Sequence, residues 1–251
     1  RSGSARVRRD DDGETTTWAE LHAQTVDRLR TAGVDEPGRE ARWIVERATG
    51  DPYVTVMGEP ATVRSHHHWR LIVERREAGE PLQYALERWP FRNLDLFVDR
   101  RVLIPRPETE EVAGAAIEAL RSQVDALGSA AAAGPVVDLG TGSGAIALAV
   151  ATEVPGVSVW GTDASADALA VARANLAGIG RVARHVRLVE GSWFAALPDE
   201  MAGTVGMIVT NPPYVPEDAA LPAQVADWEP RQALRSGRDG LDDIRTIVDE
   251  A

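Results

Sequence analysis

The chain has 251 residues, a formal net charge of −12, and neither cysteine nor lysine. The lack of cysteine excludes disulfides, thiolate catalysis and cysteine-ligated zinc, and the lack of lysine excludes a Schiff-base lysine or a P-loop lysine. The acidic balance argues against a general nucleic-acid binder, which usually presents a basic face. No apolar run approaches the roughly 18 residues of a membrane-spanning helix, and without a signal-peptide pattern we expect a cytoplasmic protein.

The N-terminal third predicts a small helical bundle over residues 15–88. Residues 1–14 are polar, charged and aperiodic, which indicates a disordered tail. Apolar residues then recur at helical spacing from Trp18 onward, with a possible cap at Thr17 or a neighbour. Two more helices are predicted over 37–49 and 62–78, because each run is apolar on one face and ends at a glycine.

A change of period marks residues 89–104. Apolar residues come close to alternation there, at Phe91, Leu94, Leu96 and Val98. Because the alternation continues on both sides of an Arg-Asn pair, we predict a β-hairpin that links two domains.

Residues 105–251 alternate between helical and strand patterns. Helices are predicted up to about residue 127, over 144–153 and over 165–177, and strands over 136–140, 157–163, 186–192 and 207–211. Strands that alternate with helices predict a parallel, doubly wound α/β sheet.

A glycine-rich turn follows the first of these strands. Gly140, Gly142 and Gly144 lie between an apolar strand and an Ala-rich helix, with Asp138 just before them. Glycine permits a tight turn and close approach of a ligand to the backbone. Asp163 ends the next strand, where a carboxylate accepts the ribose hydroxyls of a bound nucleoside. A nucleoside cofactor is therefore predicted, although any α/β protein can carry such a turn.

The last strand ends in Asn-Pro-Pro-Tyr, residues 211–214. Two prolines cannot donate to a sheet ladder, and they fix the backbone. An amide nitrogen is a poor nucleophile, so an enzyme that modifies one has to orient its hydrogens. The side-chain carbonyl of Asn211 and the backbone carbonyl of Pro212 are the predicted acceptors, with Tyr214 packed on the planar group. The alternative is a rigid turn with a core tyrosine.

The glycine turn and the Asn-Pro-Pro-Tyr motif together resemble S-adenosylmethionine-dependent methyltransferases that modify planar nitrogens. Four further stretches narrow the resemblance to the HemK/PrmC family of protein-(glutamine-N5) methyltransferases, over roughly residues 15–251. They are GEPLQYALE (79–87), VLIPRPETE (102–110), GSW (191–193) and EPRQALRSGRDGLDDIR (229–245).

This resemblance implies a helical domain that docks class 1 peptide chain release factors, followed by a Rossmann-like methyltransferase domain. The implied substrate is the glutamine of a Gly-Gly-Gln loop, methylated by direct in-line displacement without a metal and without DNA binding. The implied cofactor positions are Gly140, Thr141, Gly142, Ser143, Gly144, Asp163, Trp193 and Asn211. The implied substrate positions are Asn211, Pro212, Pro213 and Tyr214, of which Asn211, Pro212 and Tyr214 are catalytic.

Two features depart from the family pattern. The stretch YALERWPFRNL lacks the glycine-containing turn usual there, which leaves the hairpin geometry open. Family members also continue with a fifth strand and a closing antiparallel hairpin, so we expect further residues after Ala251 in the natural protein. Whether Arg106, Glu108 and Thr109 contact a ligand or only cap the following helix is left open as well.

Three other clusters of polar residues do not predict functional sites. The three histidines at 66–68 cannot share one metal ion well, because consecutive helical residues point about 100° apart, so a solvated helix face is expected. The acidic run 10–12 and the basic run 6–9 are assigned to the tail.

The sequence disfavours three other functions. A DNA adenine-N6 methyltransferase uses the same four residues on a flipped base, but it needs a basic recognition region that a charge of −12 disfavours. The PRPETE stretch disfavours a ribosomal-protein glutamine methyltransferase. The intact Asn-Pro-Pro-Tyr motif disfavours a non-catalytic partner of the release factor.

Overall fold

Residues 16–251 are described by the computed structural model, and their contacts divide the chain into two units. The first unit ends at Leu86, and the second runs from Glu87 to Ala251. The predicted tail over 1–14, with its basic and acidic runs, lies outside the described residues.

The first unit is a helical bundle. Its helices are α1 (Trp18–Thr31), α2 (Pro37–Thr49), α3 (Tyr53–Val56), α4 (Val63–Glu77) and α5 (Leu82–Leu86). The three long helices follow the predicted bounds closely because their ends carry local signals. Thr17 and Glu20 form a capping box at the start of α1, and Gly50 takes a left-handed conformation after α2. The short helices α3 and α5 were not predicted, because four or five residues show no helical period.

The core of this unit is apolar with a few paired polar groups. Trp69 of α4 is buried, and its indole N–H donates to the hydroxyl of Thr25 at 2.8 Å. Arg76, also buried, pairs with Glu40 at 2.7 Å, which compensates for the desolvation of both charges. On the same helix His67 is exposed while Trp69 is buried, as helical geometry requires.

A hairpin opens the second unit. Strands β1 (Trp89–Phe91) and β2 (Leu94–Leu96) pair antiparallel around Arg92 and Asn93. Arg92 takes a left-handed φ of 52°, a conformation that favours glycine. Its guanidinium donates to both carboxylate oxygens of Glu153 at 2.6 and 2.9 Å, and its backbone N–H donates to Glu110. These bonds stabilise the strained turn and fix the hairpin to the second unit.

Four parallel strands form the sheet of the second unit, in the order β5-β4-β3-β6. They are β3 (Val136–Leu139), β4 (Val159–Asp163), β5 (Val186–Glu190) and β6 (Met207–Thr210). The helices are α6 (Pro107–Leu127), α7 (Ala145–Glu153), α8 (Ala166–Gly178), α9 (Ala223–Trp228) and α10 (Asp242–Glu250). The predicted Rossmann-like α/β fold is confirmed. Of the helices in 16–251, none is long and apolar enough to cross a membrane.

The strand order places a topological switch point beside β3. The chain runs from β3 outward through β4 to β5, and then returns to pair β6 on the other side of β3. Ligands in open α/β sheets bind at the carboxyl ends of the strands at such a point. The glycine turn follows β3 and Asn211 follows β6, so the order of the strands brings the two predicted motifs to one crevice. Among the described strands β6 forms a sheet edge, and Ile208 on it is 38% exposed.

Candidate methyltransferase active site

The turn after β3 contains three glycines, so it offers backbone atoms and few side chains to a ligand. Gly140, Gly142 and Gly144 have φ values of 72°, 55° and 84°, which L-residues rarely adopt. A Cβ on Gly140 would stand 3.3 Å from the indole ring of Trp193. Glycine is therefore needed here both for the turn and for the close approach of the tryptophan.

Asp163 joins this turn to the next strand. One of its carboxylate oxygens accepts the backbone N–H of Gly142 at 2.8 Å, and the other accepts that of Ser165 at 2.9 Å. Desolvation raises the pKa of Asp163, while these two bonds oppose the rise. The carboxylate thus holds the glycine turn in place, and each oxygen keeps a lone pair for a ligand hydroxyl.

Asp138 lies in the middle of the apolar strand β3 and is fully buried. Its Oδ2 accepts the Thr141 hydroxyl at 2.6 Å and the Ala147 backbone N–H at 3.0 Å. Within residues 16–251 its Oδ1 has no hydrogen-bond partner. Desolvation raises the pKa of Asp138 to about 7, and the charge of Asp163 adds to the rise.

The raised pKa of Asp138 predicts a pH-dependent stability. Its carboxyl binds a proton more tightly in the folded than in the unfolded protein, so stability falls as the pH rises from about 4 through about 7 and then levels off. The Asp138→Asn side chain does not ionise, so the variant should not lose stability in this way as the pH rises. In denaturant unfolding of the cofactor-free protein, we expect the variant to gain up to ~4 kcal/mol relative to wild type between pH ~4 and pH ~8. Parallel pH profiles would contradict this assignment.

A cavity of about 250 Å³ opens at the carboxyl ends of β3, β4 and β6. Its lining includes residues of the glycine turn, both aspartates, Trp193, Asn211 and parts of four other segments. Those further lining residues include Arg101, Val102, Leu103, Pro105, Thr109, Gly191, Ser192, Pro230, Gln232, Ala233 and Asp243. Seven of the eight predicted cofactor positions, Gly140 to Ser143 and Asp163, Trp193 and Asn211, therefore border one space, whereas Gly144 is not among its lining residues in the described part of the chain.

Two residues of the Asn-Pro-Pro-Tyr motif line this cavity. Asn211 and Pro213 line it, whereas Pro212 and Tyr214 are not among its lining residues in the described part of the chain. The side chain of Tyr214 is 61% exposed, so the tyrosine is not a core residue. The Asn211 amide nitrogen donates to the Thr109 hydroxyl at 3.1 Å.

The PRPETE stretch, residues 105–110, borders the same cavity. Arg106 forms an ion pair with Glu229, which is buried and also accepts the backbone N–H of Ile104 at 3.3 Å. No side chain makes a capping hydrogen bond at the start of α6, so neither Arg106 nor Thr109 acts as a cap there. Glu108 lies in the first turn of α6, where its charge favours the helix dipole.

Asn175 of α8 also stabilises the glycine turn. Its amide nitrogen donates to the backbone carbonyls of Ser143 and Phe97 at 2.9 and 3.0 Å, and its oxygen accepts the Phe97 N–H at 2.7 Å. This buried side chain ties the glycine turn to the segment that leads into the PRPETE stretch.

Comparison with known sequences agrees with this geometry. Residues 20–86 match the PrmC N-terminal domain, and residues 117–228 match the methyltransferase small domain. The release factor glutamine methyltransferase of Gloeobacter violaceus is 40% identical over 93% of this chain and 78% of its own length. Those of Streptomyces coelicolor and Agrobacterium fabrum are 41% and 36% identical, over 90% and 95% of this chain and 76% and 81% of their own lengths.

The chain belongs to the release factor glutamine methyltransferase family. The predicted resemblance is thereby confirmed, as is the assignment to S-adenosylmethionine-dependent methyltransferases. The cavity fits the cofactor of this family. Its glycine turn leaves the backbone open, Asp163 offers lone pairs to a ribose, and the unpartnered Asp138 Oδ1 offers an acceptor to a polar or cationic group.

Some residues of this methyltransferase site were not predicted from the sequence. Asp138 was noted but not placed in the site, although a carboxylate inside an apolar strand is a signal in itself, because its burial is costly. Asn175 and Glu229 gave no such signal. Their partners lie 78 and 125 residues away in the chain, at Phe97 and Ile104, and no local pattern reports so distant a contact.

Proposed function

We propose that this protein transfers a methyl group from S-adenosylmethionine to the side-chain amide nitrogen of the glutamine in the Gly-Gly-Gln motif of class 1 peptide chain release factors. The observation that carries the proposal is the position of Asn211, which lines the same cavity as the glycine turn and Asp163. Family membership supports the choice of substrate. A cytoplasmic location fits a substrate that acts in translation.

The chemistry proposed for this chain is mainly positioning. S-adenosylmethionine, when bound, supplies an electrophilic methyl group. The side-chain carbonyl of Asn211 accepts one N–H of the substrate amide and the backbone carbonyl of Pro212 accepts the other, which aims the nitrogen lone pair. Because Pro212 and Pro213 have fixed φ angles, these acceptors need little reorganisation during transfer.

Tyr214 is proposed to pack on the planar substrate amide. Its 61% exposure leaves the ring available to an incoming protein. Tyr214→Phe is expected to change the transfer rate less than threefold, because packing needs the ring and not the hydroxyl, whereas Tyr214→Ala is expected to lower kcat/KM about tenfold. Steady-state methylation of a release factor measures both. Equal losses in the two variants would contradict the packing role.

The helical unit is proposed to dock the release factor, since every residue that lines the cavity belongs to the second unit. Removal of residues 1–86 is expected to leave cofactor affinity within about threefold and to lower methylation of the intact release factor at least tenfold. Calorimetry and a methylation assay measure the two effects. A truncated protein that methylates the release factor as well as the full chain would contradict docking by this unit.

A comparison of substrates tests the proposed function. The protein with labelled S-adenosylmethionine is offered a class 1 release factor, a ribosomal protein that carries a methylatable glutamine, and duplex DNA with adenine targets. Label is expected in the release factor alone. Label in DNA or in the ribosomal protein instead would overturn the proposal in favour of that substrate, and binding without transfer would indicate a non-catalytic partner.

A further inference from the structure

Thr109 touches the residue at the centre of the proposed chemistry. It lies in the first turn of α6, is 7% exposed and lines the cavity. Its hydroxyl oxygen accepts a hydrogen bond from the Asn211 side-chain nitrogen at 3.1 Å, across 102 residues of sequence. This bond is the one hydrogen bond that the structure records for the Asn211 side chain within residues 16–251.

A primary amide has two chemically opposite ends. Its oxygen only accepts hydrogen bonds and its nitrogen only donates them. A substrate amide N–H needs an acceptor, so Asn211 is useful only when its oxygen, and not its nitrogen, faces the substrate. If the side chain turned by 180°, two donors would meet, and the substrate nitrogen would lose its acceptor.

We propose that Thr109 is a positioning residue that fixes the orientation of the Asn211 amide. In the orientation that the structure shows, its hydroxyl accepts from the amide nitrogen, and the Asn211 oxygen is left to accept from the substrate. This inference rests on the proposed function, because it assigns Thr109 a role in that reaction.

Thr109 is itself held from several directions. Its backbone N–H donates to the Arg106 carbonyl at 3.0 Å, and Arg106 is paired with the buried Glu229. Pro105 and Pro107 restrict the backbone on both sides of Arg106. An acceptor on such a rigid segment orients the asparagine better than one on a mobile loop.

Two substitutions distinguish the effect of the Thr109 hydroxyl from the effect of the side-chain volume. Thr109→Val keeps the volume and removes the acceptor, and it is expected to lower kcat about tenfold while the affinity for S-adenosylmethionine changes less than twofold. Thr109→Ser keeps the hydroxyl and is expected to restore most of the rate. Thr152→Val is the matched control, because among residues 16–251 the Thr152 hydroxyl bonds only the Leu148 carbonyl of its own helix, and Thr152 does not line the cavity.

A double-mutant cycle tests whether Thr109 acts through Asn211. In an Asn211→Ala background, Thr109→Val is expected to cause no further loss, because the group that it positions is gone. If the two losses multiply, or if Thr109→Ser is as slow as Thr109→Val, the proposal is overturned. Should Thr109→Val fold poorly, Thr109→Ala enters the same cycle with the same expected non-additivity.

One measurement separates this inference from the proposed function. The side-chain NH₂ signals of Asn211 in ¹⁵N NMR, assigned from their loss in Asn211→Ala, are expected to shift in Thr109→Val and to return in Thr109→Ser. Unchanged signals in Thr109→Val overturn the positioning role whatever the activity. Shifted signals in a protein that methylates no release factor support the bond and overturn the proposed function.

Discussion

Asn211→Ala is expected to slow methyl transfer about 10²–10³-fold, or roughly 2.7–4 kcal/mol, by analogy with the loss of other preorganised hydrogen-bond groups in active sites. The substitution removes one acceptor for the substrate amide. It leaves β6 and both prolines intact, and the one side-chain hydrogen bond that it breaks within residues 16–251 is the bond to Thr109, so the fold is expected to survive. Single-turnover transfer to a release factor at saturating cofactor measures the rate, and calorimetry follows cofactor binding separately.

The matched control is Asn93→Ala, which removes an exposed asparagine of the hairpin that does not line the cavity. This variant is expected to transfer methyl at the wild-type rate. Cofactor affinity is expected to change far less than the rate in Asn211→Ala. An Asn211→Ala enzyme with near wild-type transfer would mean that the asparagine only shapes the turn.

Asp163→Ala is expected to weaken the binding of S-adenosylmethionine by about 1.5–3 kcal/mol, on the order of 10- to 150-fold. Its carboxylate is proposed to accept the ribose hydroxyls, and it also holds the backbone N–H of Gly142 at 2.8 Å. The substitution therefore removes a ligand contact and also a hydrogen bond that orders the glycine turn. Isothermal calorimetry measures the loss.

Asp167→Ala is the control for charge, because Asp167 is an exposed acid in the first turn of α8. It is expected to bind the cofactor like wild type, and NADH is expected not to bind measurably to either protein. Equal affinities in Asp163→Ala and wild type, or tight binding of NADH, would show that the cofactor assignment of Asp163 is wrong.

The parts of this fold that were predicted well carry local signals. Helix α1 begins where Thr17 and Glu20 form a capping box, and α2 ends at Gly50. The strands were recognisable as short apolar runs that alternate with helices. Their order was not predicted, and it is the return of the chain to β6 beside β3 that brings Asn211 to the glycine turn.

The features that could not be predicted from the sequence depend on contacts between segments that are far apart in the chain. Arg92 adopts a backbone conformation typical of glycine because Glu153 and Glu110 bind it, and neither lies near it in sequence. The partner of Asn211 could not be predicted either, because Thr109 lies 102 residues away and its local sequence allows either a helix cap or a ligand contact. Long-range side-chain bonds of this kind leave no period or spacing in the chain.

Peptide mapping by mass spectrometry tests the central claim most directly. A class 1 release factor is incubated with S-adenosylmethionine and either wild-type protein or Asn211→Ala, and its Gly-Gly-Gln peptide is sequenced. Wild type is expected to add one methyl group to the glutamine side-chain amide of that motif, with the Asn211→Ala rate reduced about 10²–10³-fold. A methyl group on any other residue, or equal methylation by the two proteins, would contradict the account.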